Sequence, residues 1–298
     1  MAMNGDNNYS RIKTDETLRE TVCHGSDEYP FQYYNEDIWL FDFHCIDWHW
    51  HSEVEFVFIE NGTAEFLIGS GRHILTEGTG IFINSQVIHR FEASESVIIP
   101  NIVFFPSLLS AEDSLIYRKY VQPLLDSSIE CLIFLPEIPW QNDVLKSLMS
   151  VFDVQEKATV CEIKTVEFLL KIWETIYENV DISERIPSAK ASAHTQAQLQ
   201  IMMQYIHKNF LEHITLADIA RTVSISKSSA LNIFNKYLHI SPVSYLINYR
   251  LKRAAKLLAS TDSSIYSIAH DTGFENVGYF CRSFKDLFGV TPSEYRKK

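Results

Sequence analysis

The last hundred residues of the chain contain a pattern that occurs twice, and this repeat restricts the fold more than any other feature of the sequence. The matched positions are Ile219 and Ile268, Ala220 and Ala269, Ile225 and Phe274, Phe234 and Phe284, and the segments Leu238–Tyr245 and Phe288–Tyr295. The offset is 49 residues in the first part of the pattern and 50 in the second. Two copies are too few to stack into a solenoid. We therefore predict two copies of one small helical unit on a shared scaffold.

The first copy has the signals of two helices joined by a tight turn. Thr215 precedes the run 216–223, whose apolar residues recur three or four positions apart and so share one face of a helix. Ser226 precedes a second amphipathic run, 227–238, and serine is a favoured residue at the start of a helix. The segment Ser224–Ser226 is the predicted turn between them.

The second copy repeats this arrangement with a glycine in its turn. A helix is predicted over 265–271, and Gly273 suits the left-handed position that often ends a helix. A further helix is predicted from about residue 276 to residue 288. The side chains expected to be buried in that helix are Tyr279, Phe280, Phe284 and Leu287. The copies therefore predict two helix-turn-helix motifs, 216–238 and 264–288, whose second helices can enter a DNA major groove.

A longer helix is predicted between the two copies. Ser241 and Pro242 have the residue types of an N-cap and a first helical position, and the apolar pattern continues to Ala259. Such a helix would hold the two recognition helices at a fixed separation. If that separation is about 34 Å, one turn of DNA, the pair can read adjacent major grooves from one side.

The second copy also carries a specific signature. It reads Gly273-Phe274, then Tyr279-Phe280-Cys281-Arg282-Ser283-Phe284-Lys285, then Phe288-Gly289-Val290-Thr291-Pro292-Ser293-Glu294-Tyr295-Arg296. With these residues, the segment 197–298 resembles the DNA-binding domain of the AraC/XylS family of transcriptional regulators. The first copy departs from the family pattern in two ways. Ser224 stands where the family has a turn glycine, and the second helix has a neutral Ser/Asn outer face in place of Arg or His.

The resemblance implies that side chains of both second helices contact DNA. Asparagine suits adenine and arginine suits guanine, because each can form two hydrogen bonds to the edge of that base. The candidates for base reading are Ser229, Asn232, Asn235, Asn276, Tyr279 and Arg282. The candidates for phosphate contacts are Lys227, Lys236, Arg253 and Lys285.

The distribution of charge favours DNA binding by the C-terminal part, although the whole chain of 298 residues has a net charge of −12. From Thr195 onward there are 13 Lys and Arg residues against seven Asp and Glu residues, a net charge of +6. The preceding residues hold 13 against 31, a net charge of −18. A basic domain joined to an acidic one is typical of a regulator in which only one domain contacts nucleic acid.

Composition places the chain outside the membrane and secreted classes. No apolar run approaches the 18 or more residues of a membrane span, and the polar start of the chain, 1–20, lacks the apolar core of a signal peptide. The five cysteines are scattered and form no CxxC pair. We therefore expect free thiols and a cytoplasmic protein.

The N-terminal half predicts a small β-barrel. From Tyr29 onward, short runs rich in aromatic and β-branched residues alternate with turn signals such as Asn61-Gly62, and this spacing is typical of an all-β sandwich or barrel. The run from Ile38 to His44 is one predicted strand, and a helix is predicted over 113–125. The predicted domains are an arm (1–28), a cupin-like barrel (29–135), a helical segment (136–180), a linker (181–195) and the DNA-binding domain (196–298).

Within the barrel region, His49, His51 and Glu55 precede a distant His89. These residues resemble the two cupin motifs, in which such side chains can bind a divalent metal, although Asn84 and Gln86 replace the usual proline and glycine of the second motif. Alternation along one strand region would place the first three on a common face. We expect no metal or cofactor and predict a polar effector pocket formed by His49, His51, Glu55, Phe82, His89 and Phe91. A metal site of His49, His51, Glu55 and His89 is the alternative.

The expected function is that of a DNA-binding transcriptional regulator controlled by a small effector, for which stacked aromatic and polar groups suit a sugar-like molecule. The family resemblance implies a homodimer formed through residues 142–179, although these helices can also pack only on the barrel. RNA polymerase is a further expected partner. We expect no enzymatic activity. The alternatives are a cupin metalloenzyme fused to a DNA-binding tail and a DNA-binding protein without an effector.

Overall fold

The chain folds into two compact units, Met1–His194 and Thr195–Lys298, as the two-domain prediction requires. A computed structural model describes residues 10–157, 160–182 and 186–297, with the side chains of Lys157 and of residues 186–193 outside the description. Residues 1–9 of the predicted arm and 183–185 of the predicted linker lie outside the described residues. No helix in the described part of the chain is long and apolar enough to cross a membrane.

The first unit is built on two antiparallel sheets. The strands are β1 (Phe31–Asp37), β2 (Cys45–His49), β3 (Val54–Phe58), β4 (Thr63–Ile68), β5 (Gly71–Thr76), β6 (Gly80–Ile83), β7 (His89–Glu92), β8 (Ile98–Phe104) and β9 (Cys131–Phe134). The five-stranded sheet has the order β1-β8-β3-β6-β9, and the four-stranded sheet has the order β2-β7-β4-β5. The β-rich first domain of the prediction is confirmed. The strand β9 was not predicted.

The central strands of the five-stranded sheet, β8, β3 and β6, are buried on both faces. Alternate residues of β3 point in opposite directions. Phe56 therefore packs in a cluster with the helices that cover this sheet, whereas Val57 packs in the cluster between the two sheets. Because neither face meets solvent, the strand is apolar along most of its length and does not alternate with polar residues.

Helix α1 (Gln122–Leu125) lies between β8 and β9, and α2 (Pro139–Lys157) and α3 (Cys161–Asn179) follow β9. Leu148 of α2 and Trp173 of α3 are buried in the cluster that covers the five-stranded sheet. The helix predicted over 113–125 is wrong in part, since a π-helix at Tyr117–Val121 precedes the short α1.

The segment Ile38–His44 is not the predicted strand but two 3-10 turns. The carboxylate of Asp37 accepts a hydrogen bond from the backbone N–H of Trp39 at 2.9 Å and so caps the first turn. Phe43 and His44 then adopt positive φ angles of 61° and 53°, which no strand contains. The next strand, β2, begins only at Cys45.

The described part of the N-terminal arm is ordered against the barrel. Ser10 forms a backbone bridge with Phe41, and Arg19 forms one with Trp50. The indole Nε1–H of Trp50 donates to the carbonyl of Thr17 at 3.0 Å. The arm therefore runs along the barrel entrance and does not extend into solvent.

The second unit is helical. Helix α4 (Ile186–Asn209) begins before the boundary between the units and ends in the second unit, whose other helices are α5 (Leu216–Arg221), α6 (Lys227–Leu238), α7 (Pro242–Ser260), α8 (Ile265–Asp271), α9 (Val277–Phe288) and α10 (Pro292–Tyr295). The long helix α7 contacts both helix-turn-helix pairs. Two motifs joined by a long helix were predicted and are confirmed. The helix α4 begins within the segment predicted as a linker, where the sequence has no clear periodicity.

The start signals in this unit also function as predicted. Thr215, Ser226 and Ser241 each accept a hydrogen bond from the backbone N–H three residues on, at 3.3, 3.0 and 3.0 Å. The burial of Tyr279 and Leu287 was predicted wrongly, since these side chains are 43% and 39% exposed. The fully buried side chains of α9 are Phe280 and Phe284, because the helix has only one packed side.

Candidate functional sites: the barrel cavity and the helix-turn-helix surface

Three histidines and one glutamate converge inside the barrel. His49 ends β2 and pairs with His89, which begins β7, so both lie in the four-stranded sheet. Glu55 lies on β3 in the opposite sheet, and His51 lies in the connection between β2 and β3. The two sheets therefore bring the side chains together from facing walls, whereas the sequence had predicted alternation along one strand region. All four are buried, with exposed fractions of 4% or less.

Each of the three imidazoles is held by a backbone carbonyl on its Nδ1 side. The distances are 2.8 Å from His49 to Asp47 O, 3.2 Å from His51 to Glu53 O and 2.8 Å from His89 to Val87 O. A carbonyl oxygen can only accept, so Nδ1 must carry the hydrogen in every case. In the neutral ring, Nε2 then has a lone pair.

The Nε2 atoms point to a common region that also contains the Glu55 carboxylate. One ring nitrogen of each histidine lies within 4.8 Å of the corresponding atoms of the other two. Oε2 of Glu55 lies 3.4 Å from Nε2 of His51 and 3.3 Å from Nε2 of His89. These distances exceed those of ordinary hydrogen bonds, and all three atoms are buried without a hydrogen-bond partner.

The charge states of the cluster depend on burial and on mutual contacts. Burial and the neighbouring imidazoles of His89 and His51 lower the pKa of His49 well below its ordinary value. Burial also lowers the pKa of His51, but the Glu55 carboxylate outweighs it and raises the pKa overall. Burial opposes ionisation of Glu55, yet the contacts with His51 and His89 hold its pKa below the usual range. Glu55 is therefore a carboxylate, and His49 is neutral.

A cavity of about 170 Å³ opens from this cluster toward the N-terminal arm. The lining residues from the barrel include Tyr34, Glu36, His49, His51, Glu55, Phe91 and Asn101. The lining residues from the arm include Ser10, Arg11, Ile12, Glu20, Val22 and His24. The arm thus closes one side of the cavity.

The arm is fixed there by a polar network. His24 lies 3.3 Å from the carboxylate of Glu20 and 2.9 Å from the hydroxyl of Tyr34.

On the barrel side of the cavity, Asn101 donates to the carboxylate of Glu36 at 3.1 Å. Burial raises the pKa of Glu36 to about 7, although the Asn101 hydrogen bond opposes the shift. Part of the cavity wall therefore changes charge near neutral pH.

The predicted pocket residues do not all meet at this cavity. His49, His51, Glu55 and Phe91 line it, and His89 completes the cluster behind them. Phe82 does not line it, because this side chain points to the opposite face of its sheet and packs edge-on against Trp173 at 6.1 Å. Neighbouring residues of one strand point to opposite faces of the sheet, so the position of Phe82 in the sequence did not show which face it points to.

The sequence prediction missed the cavity residues Tyr34, Glu36 and Asn101. A signal for them was present, because Asn101 interrupts the otherwise apolar run of β8 and pairs with Tyr34 of β1. Glu20 and His24 were missed because nothing local in the arm indicates that it reaches the barrel.

In the first helix-turn-helix, the predicted DNA-contact residues lie on the exposed face of α6. Asn232, Asn235, Lys227 and Lys236 are exposed. Ser229 is also exposed, but its hydroxyl lies 2.9 Å from that of Ser226, the N-cap. The exposed face of α6 therefore carries two asparagines.

In the second helix-turn-helix, Tyr279, Arg282 and Lys285 occupy the exposed face of α9 at intervals of three residues. Asn276 is the N-cap, and its side-chain oxygen accepts from the backbone N–H of Tyr279 at 2.9 Å. Arg253 of α7 is exposed and lies over the ring of Phe210 at 5.7 Å.

Both units match family models. Residues 41–102 match the AraC-like ligand binding domain, and residues 219–298 match a helix-turn-helix domain. A relative in Bacillus subtilis, the uncharacterized HTH-type transcriptional regulator YdeC, is 30% identical over 95% of this chain and 97% of its own length. The chain belongs to the AraC family of transcriptional regulators.

More distant relatives cover most of the chain. The melibiose operon regulatory protein of Escherichia coli K12 is 25% identical over 84% of this chain and 83% of its own. The transcriptional activator RhaR of Mannheimia succiniciproducens is 26% identical over 84% of this chain and 87% of its own. This AraC-family chain is therefore a DNA-binding transcriptional regulator with an effector-binding domain, and it is not an enzyme.

Proposed function

We propose that this regulator responds to a small, uncharged polar metabolite, such as a sugar, that binds in the cavity between the barrel and the N-terminal arm. The observation that carries this proposal is the cavity lined by polar side chains of both segments, among them the buried His24, His49 and Glu55. Its volume of about 170 Å³ is below the ~300–1,000 Å³ of pockets for drug-sized ligands, so it suits a molecule of monosaccharide size. The melibiose operon relative also favours a sugar.

The charges of the wall favour an uncharged effector over a phosphorylated one. Glu20, Glu36 and Glu55 line the cavity, whereas Arg11 is the single Lys or Arg residue among its described lining residues. A phosphate group would be brought close to carboxylates in a site of low dielectric constant, and like charges repel strongly there. Sugar hydroxyls, in contrast, can donate hydrogen bonds to the same carboxylates.

A thermal-shift screen of the full chain tests this proposal, since a ligand that binds only the folded state raises the melting temperature by mass action. We expect one or a few neutral sugars to raise it and their phosphates to have little effect. Glu36→Gln and Tyr34→Phe should reduce the shift, whereas Glu28→Gln, an exposed position outside the cavity lining, should leave it unchanged. A screen in which only phosphorylated sugars stabilise the protein would contradict the effector class.

For DNA, we propose that α6 and α9 read bases with different side chains. The base-reading set is Asn232 and Asn235 on α6, with Arg282 and Tyr279 on α9. Ser229 and Asn276 contribute at the helix starts. Lys227, Lys236, Arg253 and Lys285 bind phosphates, which position the protein without reading sequence. The exposure of these side chains supports the assignment.

We also propose a cytoplasmic homodimer formed through α2 and α3, which contacts RNA polymerase when bound to DNA. Ile163 and Leu170 of α3 are 72% and 42% exposed, and Met149 of α2 is 49% exposed, although most of the apolar stripe of α3 packs on the barrel. Residues seven positions apart recur on the same face of a helix, so Ile163 and Leu170 share one apolar strip.

Light scattering of the purified chain tests the dimer. Ile163→Glu and Leu170→Glu should yield monomers with an unchanged circular dichroism spectrum. Lys171→Glu, which changes an exposed charge on the same helix, is the matched control and should remain dimeric. A wild-type monomer at micromolar concentration would refute dimerisation through this face.

A further inference from the structure

We propose that Arg250 of α7 is a positioning residue for DNA recognition. Its guanidinium joins the segment that leads into the first helix-turn-helix to the turn of the second, and in this way it fixes the spacing at which α6 and α9 meet DNA. The inference rests on the proposed function, in which both helices read bases.

The guanidinium of Arg250 holds the connection between α4 and α5. Its Nε–H donates to the carbonyl of Phe210 at 2.7 Å, and its Nη2 donates to the carbonyl of Glu212 at 2.9 Å. These two carbonyls follow the end of α4, and the first helix-turn-helix begins soon after them, at Leu216. Because arginine presents its N–H groups in a rigid planar fork, two hydrogen bonds from one side chain fix the orientation as well as the position of what it binds. The entry into the first motif is therefore fixed to α7.

The same guanidinium lies against the turn of the second helix-turn-helix. The backbone of Gly273 passes so close that a Cβ atom there would lie 2.9 Å from Nε of Arg250 and 2.8 Å from the carbonyl oxygen of Phe210. The ring centroid of the next residue, Phe274, lies 5.8 Å from the guanidinium carbon, within the ~6 Å of a cation–π contact. Phe274 is buried, and its N–H donates to the carbonyl of Ala269 in α8 at 2.9 Å. One side chain thus connects the two motifs.

The sequence repeat shows that a single helix-turn-helix forms without this arginine. Arg250 precedes the start of α8 by 15 residues (265 − 250), and Ile201 of α4 precedes the start of α5 by the same 15 residues (216 − 201). The side chain of Ile201 has no hydrogen-bond donor and is 46% exposed. The first motif therefore forms with an apolar residue where the second has an arginine. We attribute the arginine to the arrangement of the two motifs, and not to the folding of either one.

Arg250 also differs from the residues assigned to phosphates. Its side chain is partly buried and binds two protein carbonyls, whereas Arg253, three residues further along α7, is exposed. Loss of a phosphate contact lowers the dependence of DNA affinity on salt, because fewer counterions are released on binding. Loss of a positioning contact changes how two recognition helices fit the DNA and leaves that salt dependence unaltered. The two roles can therefore be separated by measurement.

The tolerance of binding to DNA spacing tests the role of Arg250. DNA is selected with the full wild-type chain, and Asn232→Ala and Arg282→Ala identify the base pairs that α6 and α9 read. One base pair is then inserted between these two sets. We expect the insertion to weaken wild-type binding by about tenfold or more, since it moves one set out of register and a single wrong base pair already has an effect of about tenfold. In Arg250→Met the penalty should fall to about threefold or less, because a looser link tolerates a changed span.

Two further variants separate positioning from charge. Lys256→Met removes one positive charge from an exposed position of the same helix and should keep the wild-type penalty. Arg250→Lys keeps the charge, but its ammonium group lacks the planar fork that binds both carbonyls, so it should show the reduced penalty. Unchanged far-ultraviolet circular dichroism spectra establish that each variant is folded at the assay temperature. If Arg250→Met does not fold, Arg250→Lys decides.

The outcomes distinguish this inference from the proposed function. A wild-type penalty that persists in Arg250→Met and Arg250→Lys would overturn the positioning role and leave base reading by both helices intact. We expect an unchanged salt slope in Arg250→Met, and a slope lowered by about one would instead assign the residue to a phosphate. A wild type that binds the lengthened DNA as tightly as the selected DNA would refute joint reading by α6 and α9, and the positioning role with it.

Discussion

The two helix-turn-helix motifs share a backbone but differ at their left-handed positions. The N–H of Ile225 donates to the carbonyl of Ala220 at 3.2 Å, and that of Phe274 donates to Ala269 at 2.9 Å, so the turns are equivalent. The second motif has glycines at both left-handed positions, whereas the first has side chains. The angles are φ 55° at Ser224, φ 56° at His239, φ 83° at Gly273 and φ 73° at Gly289. A non-glycine residue in the left-handed backbone conformation costs roughly 1–2 kcal/mol of stability. The first motif therefore contains strain that the second avoids.

The motifs also differ in how their turns are packed. A Cβ atom at Gly273 would lie 2.8 Å from Phe210 O and 2.9 Å from Nε of Arg250. Arg250 is itself fixed, because it donates to the carbonyls of Phe210 and Glu212 at 2.7 and 2.9 Å. Ser224, in contrast, is exposed. The second turn is therefore held by tertiary packing, whereas the first is free to vary.

The largest expected effect tests this difference in packing. Gly273→Ala should destabilise the C-terminal unit by about 3 kcal/mol, since roughly 1–2 kcal/mol of backbone strain adds to about 1–3 kcal/mol of overpacking. Gly289→Ala, where a Cβ would meet nothing within 4 Å, should cost only about 1 kcal/mol.

Urea denaturation can measure both variants. All five tryptophans precede residue 194, so far-ultraviolet circular dichroism should detect the change while tryptophan fluorescence reports an unaltered first unit. Equal losses for the two variants would show that strain alone, and not packing against Phe210 and Arg250, distinguishes the second turn.

The next effect concerns DNA affinity. Arg282→Ala should weaken binding to DNA selected with the wild-type protein by about tenfold or more, because an arginine–guanine pair is worth about 1–3 kcal/mol. Arg221→Ala is the control, since Arg221 is exposed on α5 and paired with Asp218 at 3.0 Å. Fluorescence anisotropy at fixed salt measures both. An unchanged affinity and base preference would remove Arg282 from the readers.

A smaller effect should separate reading from anchoring. Asn232→Ala or Asn235→Ala should relax preference at one base pair by about 1 kcal/mol and leave the salt dependence unchanged. Lys285→Ala should weaken all sequences alike and lower the salt slope by about one. If the asparagine variants instead weaken binding to every sequence equally, Asn232 and Asn235 contact phosphates and do not read bases.

The smallest effect concerns strain in the first motif. Ser224→Gly relieves roughly 1 kcal/mol of backbone strain, but the added freedom of the unfolded chain offsets about 0.4–1 kcal/mol of it. We expect a net stabilisation of about 0.5 kcal/mol or less, and the same for His239→Gly. A large gain in thermal unfolding experiments would mean that the first turn is more strained than its φ angle indicates.

The C-terminal unit was largely predictable because its signals are local. The N-caps Thr215, Ser226 and Ser241 and the glycine turn each depend on residues within one helical turn. The error at Tyr279 arose because an apolar pattern gives the hydrophobic face but not its width. The contacts of Phe280 and Phe284 decide that width, and these contacts come from Phe274 in the turn and from Tyr295 of α10.

The barrel was predictable only in outline. Turn signals located most of its strands, but the positive φ angles of Phe43 and His44 ended the expected strand at 38–44. The direction of Phe82 depended on the register between β6 and β3, which local spacing does not define.

By itself, the sequence determined the pair of helix-turn-helix motifs, their caps and the residue types of the His/Glu cluster, because short-range periodicity and capping chemistry suffice for these. Only the tertiary structure decided that Glu55 meets His89 from the opposite sheet and that Glu20 and His24 of the arm line the cavity. These contacts join residues distant in sequence. They depend on which strands pair and which faces pack, and no local pattern encodes that choice.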